Sequence, residues 1–320
     1  MQNLRIGILS TASIVPRFIN ASRQVEDCTV TAIASRDPEK AREKAALWQI
    51  PGVFSSYEEL LASPDIDAVY IALINSAHYA FARRALEQGK HVLCEKPLAL
   101  DPAEIRDLFS LAREKGLFLM EMQKCVFLPV IQQLKERIRS GEFGTITMAD
   151  FSNSFDAGYN SWMFDASKGG GPLFSHAIYS LQLMQYLFDS FVVEQTGLCT
   201  RSVSAVENQF SAVMLLENGI LFTNKTSTAS DTIHMGYLYG ERGYIELPDY
   251  WKARKAILHF KDREPEVLEI SCDYELQYET RHAVSCIRQG LTESPVMTEE
   301  MSARAADTLL QLHRQWNGGN

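Results

Sequence analysis

The chain has 320 residues, 46% of them hydrophobic and 22% charged, the balance of a globular protein long enough for about two full cores. Its net charge of −9, with no dense Lys/Arg run, argues against a nucleic-acid partner, and no apolar stretch approaches the length of a membrane span. Cys28, Cys94, Cys125, Cys199, Cys272 and Cys286 form no CxxC pair and the histidines no HExxH or HxH cluster, so free thiols in a reducing cytoplasm are expected, and no metal site.

The start, Met1-Gln2-Asn3, runs straight into a strand at Leu4–Leu9, which is read as leaving no room for a signal peptide. A helix is expected over Pro16–Arg23, a β-branched strand over Thr29–Ala34, a helix over Pro38–Gln49 and a strand over Asp67–Leu73. The next helix, Ala77–Gln88, is expected to be capped by Ser76 and stopped at Gly89. A strand ending at Cys94 follows, then a helix over Pro102–Lys115 ended by Gly116, then a strand over Leu117–Met122. Wholly apolar strands separated by amphipathic helices predict a doubly wound parallel sheet covered on both faces. After Gln123 the rhythm changes. A helix over Pro129–Arg139 and a strand over Thr145–Ser152 precede a helix that follows Gly169-Gly170-Gly171. From Val192 to Ile270 strands succeed one another without helices, with turns at Glu217–Gly219 and Gly240–Gly243, which predicts an open, mostly antiparallel sheet. Two helices finish the chain, the second opening at Thr298 with Glu299 and Glu300 in its first turn. The expected fold is α/β: a Rossmann domain over residues 1–122 and an α+β substrate and oligomerisation domain over 123–320, with the last helix packing back on the first domain.

The strand that ends at Cys94 delivers Glu95-Lys96-Pro97 to its carboxyl end, the edge of a parallel sheet where ligands bind. Pro97 keeps Lys96 out of the helical region, so its amine is aimed, ready to bond a substrate hydroxyl or polarise a carbonyl oxygen. The first strand–helix turn is Ser10-Thr11-Ala12-Ser13-Ile14-Val15. It has Ser10, Ala12 and Val15 where GxGxxG has glycines, but helix-start amides attract phosphate whatever the side chains, and the hydroxyls add donors. Ser35-Arg36 ends the second strand, with Asp37 one step later and Lys40 a turn on. A hydroxyl and a guanidinium there favour the 2′-phosphate of NADP(H), with NAD(H) possible; the alternative is a surface arginine opening a helix. Leu73, Asn75 and His78 follow the third strand; Asn75 sits where it can reach a cofactor, and a structural role for His78 against the loop is the safer reading.

With these residues assembled, the chain resembles the glucose–fructose oxidoreductase and inositol dehydrogenase (Gfo/Idh/MocA) family over nearly its whole length. The resemblance rests on the Rossmann half, Asn75 and His78, Glu95-Lys96-Pro97, Gly141-Glu142-Phe143-Gly144, the Gly169–Gly171 helix opening and Gly240-Glu241-Arg242-Gly243. Met120-Glu121 and Glu293-Ser294-Pro295 resemble its dimeric dihydrodiol dehydrogenase branch. The family implies NAD(P)-dependent hydride transfer to or from a carbinol or carbonyl carbon of a sugar, polyol or diol, and a homodimer or higher oligomer built on the C-terminal sheet. Its second motif, an Asp and a His four residues apart on the glycine-led helix, falls on Ser175 and Tyr179. A Tyr there resembles the dihydrodiol dehydrogenase branch, where it is the proposed acid/base. On an α-helix Ser175 and Tyr179 share a face. A phenol titrates near 10, and the Lys96 cation would lower that value. Lys96 and Tyr179 are therefore the expected catalytic pair, and Trp162, Ser175, His176 and Tyr179 the substrate residues. His176 either reaches the same cavity or sits buried and satisfied, and Trp162 either lines the pocket or belongs to the core. The missing glycines, Ser175 in place of Asp and Met163 in place of a frequent Arg leave open a second reading, a nucleotide-binding or sensing module without catalysis.

Overall fold

A computed structural model describes residues 3–156, 158, 162–201 and 205–318. The chain divides into two compact units. One comprises the chain up to Gln123 together with Tyr274–Ser302, and the other Lys124–Asp273 together with the chain from Ala303 on.

The first unit alternates strand and helix: β1 (Leu4–Leu9), α1 (Val15–Ser22), β2 (Cys28–Ala34), α2 (Pro38–Trp48), β3 (Gly52–Phe54), α3 (Tyr57–Ala62), β4 (Ala68–Ile71), α4 (His78–Glu87), β5 (His91–Glu95), α5 (Pro102–Lys115) and β6 (Leu119–Met122). The six strands pair in parallel in the order β3-β2-β1-β4-β5-β6. The order reverses between β1 and β4, which makes a crevice at the carboxyl ends of these strands. Ile6, Ile8, Val69, Tyr70, Val92 and Leu93 are fully buried because helices cover both faces of the sheet. Strand β4 is shorter than Asp67–Leu73 because Asp67 turns to Arg5, whose backbone N–H and guanidinium both donate to its carboxylate. Ser76 is not the cap of α4: a 3₁₀ turn over Asn75–Ala77 leads into the helix, which has no side-chain cap. Strand β3 and helix α3 were not expected, since Gly52-Val53-Phe54 is too short to carry a period.

The second unit holds α6 (Pro129–Arg139), β7 (Ile146–Ser154), α7 (Ile178–Phe188), β8 (Val192–Arg201), β9 (Glu207–Leu216), β10 (Leu221–Ser227), β11 (Met235–Gly240), β12 (Gly243–Pro248), β13 (Lys255–Phe260) and β14 (Glu266–Glu269). The sheet order is β14-β13-β12-β11-β7-β10-β9-β8, antiparallel throughout except for the β7–β10 pair. One face buries Phe151, Phe222, Leu238 and Ile245. Helix α7 is tied to this face, Asn224 donating to the carbonyl of Ala177 and to the hydroxyl of Ser180. The alternate residues face outward, with Met148, Val213, Leu221 and Tyr244 more than a third exposed. Helix α8 (Leu276–Arg288) packs on α1 in the first unit, and α9 (Glu299–Trp316) closes the chain. Relative to the division at 122/123 expected from the sequence, Tyr274–Ser302 joins the first unit.

Candidate active site

At the end of β1 the chain turns through Ser10, whose φ of 153° is a conformation that favours glycine. Ser10 thus occupies the place of the first motif glycine and keeps its backbone geometry. Its Oγ accepts the Ala12 N–H at 2.9 Å. Helix α1 opens at Ile14 with no side-chain cap, and Val15 is fully buried behind it. Among the described residues the N–H groups of Thr11, Ser13 and Ile14 have no hydrogen-bond partner in the protein. Unpaired amides at an uncapped helix start are an anion site, and they fit the pyrophosphate of a dinucleotide. At the end of β2, Arg36 is exposed, whereas the Asp37 carboxylate is engaged as the cap of α2, accepting from Glu39 and Lys40 N–H at 3.0 and 3.1 Å. Ser35 is buried, and its Oγ accepts the Asp37 N–H at 3.3 Å. Asn75 is buried in the 3₁₀ turn after β4, beyond half-buried Leu73.

Strand β5 ends at Glu95, whose Oε1 accepts the Tyr70 hydroxyl at 2.5 Å, and Tyr70 in turn stacks on Phe18 at 3.7 Å. Lys96 follows, half-buried, with a cis peptide bond to Pro97. Two buried side chains hold the backbone just beyond it. His78 Nδ1 lies 2.7 Å from the Pro97 carbonyl and its Nε2 3.1 Å from that of Leu73. Burial holds the His78 pKa below the usual imidazole value, against the pull of its contacts with the two carbonyls. Glu121, 1% exposed, accepts the Leu98 N–H on Oε1 at 3.0 Å and the Ser302 hydroxyl on Oε2 at 2.6 Å. The sheet therefore brings the Ser10–Ile14 turn, Ser35-Arg36, Asn75 and Glu95-Lys96 to one strand-end edge, while His78 serves as a structural clamp.

In the second unit Trp162 opens a 3₁₀ turn and is half-buried. Gly170 and Gly171 donate to the carbonyls of Asp165 and Met163 at 3.1 and 2.8 Å. Gly171 has φ +103°, and a Cβ on Gly170 would collide with the carbonyls of Met163 and Trp162, so this crossing requires glycine. The helix then begins with a π turn over Leu173–Ala177, so Ser175 and Tyr179 do not lie on one regular α-helix. Ser175 is buried and turned back, its hydroxyl donating to the Gly171 carbonyl at 2.5 Å. His176 stacks on Phe155 with ring centroids 3.5 Å apart and meets Tyr179 edge-on at 6.2 Å. Tyr179 is half-buried; its carbonyl accepts the Cys125 thiol at 3.8 Å, and Lys124 Nζ lies 5.9 Å from its ring centre.

Residues 4–123 match the model described as the oxidoreductase family with an NAD-binding Rossmann fold, and residues 131–246 match the GFO/IDH/MocA C-terminal domain. The trans-1,2-dihydrobenzene-1,2-diol dehydrogenase of Xenopus tropicalis is 30% identical, the match covering 95% of this chain and 96% of that protein. The chain belongs to the Gfo/Idh/MocA family. The mouse (Mus musculus) diol dehydrogenase is 29% identical, with 96% and 95% covered. Among solved structures, an aldose–aldose oxidoreductase from Caulobacter crescentus in complex with glycerol has a TM-score of 0.90 at 21% identity, covering 100% and 99% of the two chains. A levoglucosan dehydrogenase complexed with NADH and levoglucosan has a TM-score of 0.88 at 19% identity, with 98% of each covered. This Gfo/Idh/MocA protein is an NAD(P)-dependent oxidoreductase working on the carbinol or carbonyl carbon of a small molecule.

Sequence reasoning gave no supporting role to four residues: Glu121, which it quoted only for the resemblance, Lys124, Phe155 and Glu207. Glu121 carried a signal, an acid inside an apolar strand, which is tolerated only when paired. Lys124 and Phe155 carried none. Neither did Glu207, a buried acid on β9 whose Oε1 accepts the Leu173 N–H at 3.0 Å and so holds the start of the π turn. Burial raises the Glu207 pKa, against the pull of its backbone hydrogen bonds. Among the described residues no group of three or more His, Cys, Asp or Glu is arranged to hold a metal, and no helix is long and apolar enough to cross a membrane.

Proposed function

We propose that this oxidoreductase interconverts a cyclic vicinal diol, or a polyol of like geometry, and the corresponding hydroxyketone, with NADP(H) preferred over NAD(H). The full-length match to trans-1,2-dihydrobenzene-1,2-diol dehydrogenases carries the reading. Ser175, uncharged where the family's helix has Asp, supports a substrate with fewer hydroxyls than a sugar. The nicotinamide, when bound, supplies or takes up the hydride. The amides of Thr11, Ser13 and Ile14 hold the pyrophosphate, and Arg36 binds the 2′-phosphate. Asp37, committed to capping α2, supports NADP(H), since it is not available to the ribose hydroxyls. Lys96, fixed through Pro97 and Leu98, polarises the substrate oxygen, and Tyr179 takes the alcohol proton in oxidation and returns it in reduction. Lys124 Nζ, 5.9 Å from the Tyr179 ring centre, packs its charge against the ring face. Asn75 borders the cofactor, and Trp162 lines the substrate side.

A homodimer forms through the open face of the eight-stranded sheet. There Tyr239, Met148, Leu221 and Leu215 stand side by side across β11, β7, β10 and β9, an apolar row that calls for a partner. Six cysteines outside any disulfide, five of them buried, support a reducing compartment such as the cytoplasm.

Fluorescence titration with NADPH and NADH in parallel tests the cofactor assignment. NADPH should bind the more tightly, and Arg36→Ala should weaken NADPH about 10- to 100-fold while leaving NADH nearly unchanged. Equal affinity for both in the wild type, or equal losses in the variant, would remove Arg36 from the site.

A further inference from the structure

Strand β4 reads Ala68-Val69-Tyr70-Ile71, and a hydroxyl within a sheet covered on both faces has to be bonded. Tyr70 is fully buried, as is Phe18 of α1, and their rings lie nearly parallel, with centres 3.7 Å apart and 3° between the planes. Tyr70 pairs with Leu93 across the β4–β5 ladder, so Glu95, two residues on, leaves the same face of the sheet and comes within reach of the phenol. The hydroxyl donates to Glu95 Oε1 at 2.5 Å. Burial first, then the Glu95 and Glu279 carboxylates, push the Tyr70 pKa well above its ordinary value, against the pull of Arg17, so the group keeps its proton and remains a donor. One side chain thus reaches both parts of the site. Through Glu95 it holds the strand end just before Lys96, while His78 and Glu121 hold Pro97 and Leu98 just after it. Through Phe18 it braces the opening of α1: the Phe18 N–H donates to the Ile14 carbonyl at 3.1 Å, and Ile14 belongs to the anion-binding turn.

We propose that Tyr70 is a positioning residue for hydride transfer: its hydroxyl sets the strand end that aims Lys96, and its ring locks that strand end to the helix that receives the pyrophosphate. The proposal rests on the role of Lys96 given above. Being wholly buried, Tyr70 acts only through Glu95 and Phe18. The two halves of the side chain separate cleanly. The hydroxyl bears on the aim of Lys96 and so on kcat. The stacked ring bears on the seating of α1 and so on the affinity for the dinucleotide as well.

The test is made on the full-length protein. Turnover is followed as NADP+ reduction with a cyclic vicinal diol, or with an aldose if no diol is turned over, and NADPH affinity by fluorescence titration. Tyr70→Phe keeps the ring on Phe18 and removes only the hydroxyl. It should lower kcat about 10- to 100-fold and leave the NADPH Kd within about threefold of the wild type. Phe18→Leu keeps the hydroxyl and removes the stack; it should lower kcat and also weaken NADPH about 3- to 10-fold. A merely structural role is separated by a double-mutant cycle with Lys96→Ala. If Tyr70 acts through Lys96, Tyr70→Phe lowers kcat less than about threefold once Lys96 is replaced. An unchanged kcat in Tyr70→Phe, or losses that multiply in full in the double variant, overturns the proposal. If Tyr70→Phe does not fold, the cycle of Phe18→Leu with Lys96→Ala decides by the same criterion. Wild-type turnover in Lys96→Ala alone overturns the role of Lys96, and this inference with it.

Discussion

Replacing Glu121 tests how Lys96 is held. Its carboxylate receives the Leu98 N–H at 3.0 Å and the Ser302 hydroxyl at 2.6 Å. Leu98, Glu121 and Ser302 are all at most 1% exposed, so water cannot take over these bonds without rearrangement. Glu121→Ala leaves two buried donors unpaired at about 1–3 kcal/mol each and opens a cavity, for a total loss of roughly 3–6 kcal/mol. Glu121→Gln keeps an acceptor for Leu98 and loses the charge assistance, at about 1–2 kcal/mol. Lys96 stands two residues before Leu98. A displacement of about 1 Å there lowers kcat by about two orders of magnitude, because positioning carries much of the rate. Urea unfolding followed by tryptophan fluorescence gives the stability, and NADPH absorbance gives kcat. The Ala variant should be the less stable of the two and the slower, with cofactor affinity little changed. If it unfolds within about 0.5 kcal/mol of the wild type and turns over normally, Glu121 does not hold the Lys96 loop.

The protein should lose stability in mild acid. Burial lowers the pKa of His78, His91, His282 and His313 below the unfolded value of 6.5. Above that value both states are neutral and the contribution is fully present; as the pH falls through it, the unfolded chain takes up protons that the folded chain refuses. For fully buried His78 the slope approaches about 1.4 kcal/mol per pH unit, and urea midpoints that stay flat between about pH 7.5 and about pH 5.5 would count against it. On the open sheet, Leu221→Glu puts a charge at an outward position that is 38% exposed, so it should leave the fold intact and convert the proposed dimer to a monomer in sedimentation. An unchanged mass would place the interface elsewhere.

The parallel-sheet unit was legible because its strands are apolar on both faces and its helices end at readable stops, as at Gly116, the φ +66° cap of α5. The Glu95-Lys96-Pro97 edge and the Ser10 turn were legible for a related reason: chemistry at a strand end is local in sequence. What was not legible depends on distant partners. Lys124 and Tyr179 are joined only by the fold, as are Glu207 and Leu173. The π turn looks like any helix start in sequence, since i+5 and i+4 bonding use the same residue types. It is set by Gly171, the Ser175 back-bond and the Glu207 carboxylate together. The i, i+4 reading of Ser175 and Tyr179 assumed regular α-helix, whereas Leu173–Ala177 is a π turn.

The central claim is hydride exchange assisted by Lys96 and Tyr179. Its most direct test is NADP+ reduction with a cyclic vicinal diol by the wild type, Lys96→Ala and Tyr179→Phe, each also titrated with NADPH. The account predicts that both variants bind NADPH nearly as well as the wild type and lose turnover by about two orders of magnitude or more. Wild-type turnover in either variant would contradict it.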